Sequence, residues 1–285
     1  MRPGDPRLAP RVERITGKRP VRVAALPGGC IAQVYKVELA GGGMLVAKLA
    51  PGGGLAEEGR MLADLARLSD LPVPAVLLAA DDLLLLDYVE SDGRLDGAAE
   101  RHAAELLAAL HGITGAAFGY ERDTLIGPLR QPNPWSESWL DFFREQRLLH
   151  LGRLAREAGH LAPETLRRLE VLCGKLEGYI EAPAAPALLH GDLWDGNILV
   201  RDGRIAAFLD PAIYYGDPEI ELAFTTLFGT FGDAFFARYN ELRPLASGFF
   251  EVRRDLYNLY PLLVHTTLFG GHYGAAVERI LRRFA

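Results

Sequence analysis

The stretch LLHGDLWDGNIL (188–199) places His190, Asp192, Trp194, Asp195 and Asn197 between apolar residues. A buried strand has no use for so many polar groups in so few positions. Asn197 follows Asp192 by five positions, and Asp210, in FLDP, comes thirteen residues after Asn197. Phosphoryl transfer asks for such a set. One carboxylate must meet the attacking hydroxyl, and hard oxygen ligands must hold Mg²⁺ against nucleotide phosphates. An Asp, an Asn five residues on and an Asp closing a short strand match a kinase catalytic loop with its metal-binding acid. His190 is expected to brace the loop structurally.

The same chemistry needs a cation for the nucleotide phosphates. Lysine is scarce here, at positions 18, 36, 48 and 175, and Lys48 lies in the apolar strand pattern VAKL. The next helix offers Glu57 and Glu58. Glu58 is the expected partner, because it stands four residues before Leu62 in an E-x-x-x-L register. LLLLDYVE (83–90) reads as the strand leading to a hinge whose backbone meets adenine. Taken singly, each residue has a structural reading: a strand lysine, a solvated helix acid, a turn aspartate, a core histidine. The ordered set is far more specific than its parts, because order, spacing and context must all agree.

These residues need mounting elements. VYKVEL (34–39) and MLVAKL (44–49) read as strands around turn glycines, and 52–68 as a helix by its leucine spacing. Beyond about residue 90 helices dominate, over 93–113, 135–159 (Ser136 or Ser138 as cap), 163–180 and the region FFEVRRDLYNLYPLLVHTTLF. NILVRDGRIAAFLD (197–210) reads as a hairpin around Arg-Asp-Gly, which makes the catalytic loop rigid. In GDPEIELAF, Asp217 is an N-cap and Pro218 the first helical residue. A Gly/Pro-rich loop lies between residues 113 and 135. The expected architecture is α+β and bilobal, in the manner of protein kinases. A small β-rich lobe with one key helix (1–90) precedes a larger, mainly helical lobe with the catalytic hairpin and acceptor site (91–285).

Bulk properties narrow the partners. The chain has 285 residues, 49% hydrophobic and 24% charged, a soluble globular composition. Its net charge of −6 and lack of a basic tract argue against nucleic acid. No apolar run has membrane-spanning length, and the N-terminus shows no apolar signal region. Two cysteines, Cys30 and Cys173, make no disulfide framework, so a reducing cytoplasm is expected. The default is a monomer. Cys30 reads as a small apolar filler; the sharper alternative is an oxidation switch or redox dimer through it.

HGDLWDGN with the later FLD resembles the aminoglycoside phosphotransferase and choline kinase branch of the kinase-like fold. Within it, the chain is most similar to the fructosamine kinase (ketosamine 3-kinase) family. Trp194, the segment DPAIYYGDPEIELAF (210–224) and the segment IGPLRQPNPWSESWLDFFREQRL (126–148) carry that likeness. It covers about residues 10 to 280. The resemblance implies Mg²⁺-ATP-dependent phosphorylation of the sugar 3-hydroxyl of a ketosamine. The phosphorylated adduct then falls apart, which is deglycation. It implies Asp192 as catalytic carboxylate, Asn197 and Asp210 as Mg²⁺ ligands, and Lys48, paired to Glu58, on the ATP phosphates. It also implies Asp87 and Val89 as hinge backbone, Trp194 as a wall for the sugar or its amine-bearing part, and Asp217 near the substrate amine. The loop PGGCIAQ departs from G-x-G-x-x-G, so phosphate contact there falls to backbone and to Gly28 and Gly29. The alternatives are a phosphotransferase of the same fold for aminoglycosides, choline or another small molecule, and a non-catalytic nucleotide-binding pseudokinase. The presence of Lys48, Asp192, Asn197 and Asp210 together disfavours the last. No H-R-D, D-F-G or A-P-E points to a protein kinase.

Overall fold

The computed structural model describes residues 7–26 and 32–285. Gly28, Gly29 and Cys30 lie outside the described residues. The chain divides into two compact units. The first runs to Leu95 and takes in Gly196–Pro211; the second comprises Asp96–Asp195 and Ala212–Ala285. The expected boundary after residue 90 thus falls at Leu95. The hairpin expected in the second lobe groups with the first, because its contacts are made there.

The first unit opens with helix α1 (Leu8–Thr16), then strands β1 (Pro20–Ala25), β2 (Gln33–Leu39) and β3 (Met44–Leu49). Helix α2 (Leu55–Leu68) follows, then β4 (Val76–Ala79) and β5 (Leu83–Asp87). The five strands form one antiparallel sheet in the order β1-β2-β3-β5-β4. Alternation along a strand sorts side chains to opposite faces. Leu45, Ala47, Leu49, Leu83 and Leu85 pack with Leu8 and Val12 of α1. Leu84 and Leu86 pack on the other face with Leu55 and Leu62 of α2. The run LLLL is therefore apolar without interruption because both faces are covered. Lys48 shares the α2 face with Val46, and so points toward Glu58.

Close approach of α2 to the sheet depends on Gly59. A Cβ built there would lie 2.4 Å from the Ala79 Cβ and 3.0 Å from Leu84 Cδ1. Gly59→Ala should gain helix propensity yet lose stability overall, by about 1–3 kcal/mol from overpacking. A rise in the urea midpoint would contradict that packing.

In the second unit, α3 (Gly97–Leu110) is capped by Asp96, whose carboxylate accepts from the N–H groups of Ala98 and Ala99. The expected loop after α3 contains a short hairpin, β6 (Thr124–Ile126) and β7 (Leu129–Gln131). The helix expected over 135–159 starts at α4 (Trp139–Phe142), with Ser138 as its cap. It passes through a π-helical turn (Phe143–Leu149) into α5 (His150–Glu157). Next come α6 (Pro163–Cys173) and β8 (Ala187–Leu189).

The chain enters the first unit for the hairpin β9 (Ile198–Arg201) and β10 (Arg204–Phe208), and returns to the second for β11 (Tyr214–Gly216). Helices α7 (Pro218–Leu227), α8 (Asp233–Leu242), α9 (Arg254–Phe269) and α10 (His272–Phe284) complete it. No helix of the described residues is long and apolar enough to cross a membrane.

Candidate active site

The first unit carries Lys48, Glu58, Asn197 and Asp210. Lys48 is only 7% exposed. Its ammonium donates to Glu58 Oε1 at 2.7 Å and makes a second ion pair with Asp210 Oδ1. Burial pushes the Lys48 ammonium down, but the charges of Asp210 and then Glu58 outweigh burial and hold it above its ordinary value. Burial raises the Glu58 carboxyl to about 7, against the pull of Lys48 and helped by the nearby Asp210 carboxylate. Glu58 also sits in the first turn of α2, where the helix dipole favours an acid.

The hairpin brings Asn197 and Asp210 to one end. The Leu209 N–H donates to the Asn197 carbonyl at 2.9 Å, joining the residues just before β9 and just after β10. The hairpin is fastened within the unit by Phe208 N–H to the Pro72 carbonyl at 2.8 Å and Asp92 N–H to the Val200 carbonyl at 2.8 Å. Asp210 has φ of +52° directly before Pro211. A non-glycine residue rarely adopts that region, and a following proline favours extended backbone instead. Such strain is held by surrounding structure and is typical of functional positions.

These donors fit Mg²⁺. Asn197 and Asp210 are hard oxygen ligands, and among the described residues no group of three or more His, Cys, Asp or Glu could cage a metal. Mg²⁺ characteristically takes one or two protein oxygens and completes its shell with phosphate and water.

At the expected hinge, Asp87 closes β5 and Val89 lies just past its end. The Asp87 N–H is already donated to the Ala75 carbonyl at 3.0 Å. What Asp87 can offer a nucleotide base is therefore its carbonyl.

The second unit carries His190, Gly191 and Asp192, the expected catalytic loop. β8 pairs with β11 and ends at Leu189, so His190, Gly191 and Asp192 emerge from a buried strand pair. His190 is fully buried, and its backbone carbonyl accepts from the Ala212 N–H at 2.8 Å. Gly191 has φ of +87°, and a Cβ there would lie 2.1 Å from the Ala212 carbonyl oxygen. No other residue fits. Asp192 is half-buried. Trp194 is also half-buried, its ring 6.4 Å from that of Phe228 in an edge-to-face contact.

Glu221 of α7 supports this loop through contacts that local sequence reasoning does not reveal. Its Oε1 accepts the Gly191 N–H at 2.6 Å, and its Oε2 meets Nε2 of His111, the C-cap of α3, at 2.8 Å. His111 Nδ1 lies 2.7 Å from the Tyr239 hydroxyl of α8. Burial would raise the Glu221 carboxyl, but the hydrogen bond and charge of His111, with His190, hold it below the usual carboxylate range. A buried acid thus ties α3 and α7 to the peptide preceding Asp192.

The segment 126–148 is structural. Arg147 is fully buried, its guanidinium 4.1 Å from the Tyr214 ring centre and 4.6 Å from that of Phe142. It donates to Asn133 Oδ1 at 2.7 Å and the Pro132 carbonyl at 2.9 Å. Gln131 donates to the Ala212 carbonyl at 3.1 Å and accepts from the Tyr260 hydroxyl. These groups buttress the loop from beneath.

Asp217 requires a correction. It is only 5% exposed, and both oxygens are committed. Oδ1 accepts from Glu219 N–H at 2.9 Å as the N-cap, and Oδ2 accepts the Tyr257 hydroxyl at 2.5 Å. Tyr257 in turn accepts from Trp139 Nε1 at 3.0 Å. Direct contact with a substrate amine is therefore withdrawn. Burial, then the charge of Glu219, raises the Asp217 carboxyl to about 7 from an ordinary value of 3.8. A raised folded value contributes stability present below about pH 4, and that stability is lost as pH rises through 7. Asp217→Asn, which retains a cap acceptor, should flatten that slope. Urea midpoints at pH 5 and pH 8 should lie closer together than in wild type; an unaltered gap contradicts the assignment.

Comparison with known proteins gives one answer. The profile of the fructosamine kinase family matches residues 10–285. A Synechocystis chain designated a ketoamine kinase is 39% identical over 209 residues, covering 72% of this chain and 68% of its own. The chloroplastic protein-ribulosamine 3-kinase of Arabidopsis thaliana is 34% identical over 209 residues, 70% of this chain and 60% of its own. Among solved structures, a Thermobifida fusca chain carrying a fructosamine-3-kinase designation superposes with a TM-score of 0.88 at 35% identity, over 98% of both chains. An aminoglycoside phosphotransferase holding ADP and hygromycin B superposes with a TM-score of 0.69 at 16% identity, over 96% of this chain and 97% of its own, and shares the fold alone. The fold is therefore the α+β, kinase-like phosphotransferase fold, and the chain belongs to the fructosamine kinase family.

Proposed function

We propose that this protein transfers the γ-phosphoryl group of ATP to the 3-hydroxyl of a ketosamine, the adduct of a sugar with an amine. The observation that carries the transfer is the buried Lys48 held between Glu58 and Asp210 on the unit that also presents Asn197. The acceptor is inferred from relatives designated ketoamine and ribulosamine kinases.

Asp192 accepts the proton of the sugar 3-hydroxyl as its oxygen bonds to the γ-phosphorus, and the bond to the bridging oxygen of ADP breaks. Lys48 holds the phosphates through its fixed ammonium, which Glu58 keeps oriented. The Asp87 carbonyl and Val89 N–H meet the adenine edge. Asn197 and Asp210 would hold Mg²⁺, which would supply neutralisation of phosphate charge. Trp194 walls the acceptor. Carbon 3 neighbours the ketone, so enolisation toward the amine-bearing carbon lets phosphate leave. Hydrolysis of the resulting imine frees the amine. Repair of this kind suits a monomeric enzyme of the reducing cytoplasm.

Acceptors of the aminoglycoside type are disfavoured by the fate of the acids that could have formed an anionic pocket. Asp217 and Glu221 are buried and bonded, and Glu219 pairs with Arg253 at 2.5 Å. ADP release with Mg²⁺-ATP should be stimulated by ribulosyl-lysine and fructosyl-lysine, and not by an aminoglycoside or choline above a no-acceptor blank. Stimulation by the aminoglycoside or choline alone would overturn the acceptor assignment.

A further inference from the structure

A continuous strip of rings extends from Trp194 across the second unit. Trp194 meets Phe228 at 6.4 Å, and Phe228 meets His265 at 5.1 Å. His265 meets Tyr273 of α10 at 4.9 Å and Phe269 at 5.8 Å. Core aromatics are covered, but these are not: Phe228 is 39% exposed and Phe269 55%. The strip begins two residues after Asp192 and ends at the α9–α10 junction.

His265 has a defined polarity. Its Nδ1 lies 2.7 Å from the Pro261 carbonyl, which can only accept, so Nδ1 carries the proton. In the neutral ring, Nε2 is then a lone-pair acceptor, and among the described residues it has no hydrogen-bond partner. Burial, then the charge of His272, lowers the His265 basicity despite the Pro261 contact, which favours that neutral ring.

A ketosamine near neutral pH carries a secondary ammonium one carbon from its ketone. With Asp217, Glu219 and Glu221 bonded elsewhere, what the strip itself offers a cation is ring faces and a lone pair. We propose that the strip Trp194–Phe228–His265–Phe269–Tyr273 is the platform for the amine-bearing part of the acceptor, with His265 Nε2 accepting from the ammonium and the outer rings, Phe269 and Tyr273, carrying the chain attached to it. This rests on the ketosamine reading above and adds to it the residues that carry the amine-bearing part.

Kinetics with two fructose adducts test this, one on the side chain of lysine in a short peptide and one on methylamine. Wild type should show the lower KM for the peptide adduct. Phe269→Ala and Tyr273→Ala should each raise that KM by about three- to tenfold, the range of one or two methylenes buried against a ring. They should leave kcat, and the KM for the methylamine adduct, unchanged. His265→Phe keeps a ring but removes the acceptor, and should raise KM for both. Equal effects of the outer-ring variants on both adducts, or none on either, would overturn the platform while the kinase stands. If wild type turns over neither adduct but phosphorylates another acceptor, the ketosamine reading falls, and the platform with it.

Discussion

Asp192→Asn is expected to lower kcat by roughly 10²- to 10⁴-fold, the usual contribution of a positioned general base. ATP affinity should stay near that of wild type, because Lys48, Glu58 and Asp210, the groups proposed to serve the nucleotide, belong to the other unit and form their own ion pairs. The loop should keep its shape. Its backbone is held by the β8–β11 pairing, the Gly191 N–H to Glu221 bond and the His190 carbonyl to Ala212 bond, and asparagine matches aspartate in size. Single-turnover kinetics with nucleotide titration separates the two quantities. Near-normal turnover would move the base elsewhere.

Lys48→Ala is expected to lower kcat/KM for ATP by roughly 10²- to 10³-fold, the cost of removing one charge-stabilising donor from a preorganised site. Stability should fall as well. The substitution leaves the Glu58 and Asp210 carboxylates without the ammonium between them, and breaking one side of a buried pair is more damaging than the pair's net worth. Lys48→Arg should rescue little, because a planar fork cannot replace a compact ammonium shared by two carboxylates at one point. Isothermal titration with ADP and Mg²⁺, beside thermal unfolding, reads both effects. Unchanged nucleotide affinity and turnover would make Lys48 a purely structural cation.

The parts of this site that were legible in the sequence are those set by local periodicity. Alternation in MLVAKL put Lys48 on the face opposite Leu45, Ala47 and Leu49, and helical register put Glu58 toward it. The Arg-Asp-Gly turn announced the hairpin joining Asn197 to Asp210. The N-cap at Asp217 was legible too, but its burial against Tyr257, forty residues onward, was not. Glu221 was hidden for the same reason: its partner Gly191 is thirty residues earlier, and its pattern matches any amphipathic helix acid. Helix α1 went unforeseen because its apolar signal is a pair of residues, Leu8 and Val12, around a proline at position 10. The segment 126–148 was distinctive in type but silent about role. Its buried cation is balanced by ring faces and carbonyls, not by an acid that spacing could reveal.

Phosphorus–proton correlation NMR on the product of Mg²⁺-ATP and fructosyl-lysine reads directly which hydroxyl receives phosphate, and whether Asp192 is needed. Wild type should give a phosphorus signal coupled to the proton on sugar carbon 3, and Asp192→Asn should not. Phosphate on another carbon, or an equal yield from Asp192→Asn, would contradict the proposed transfer.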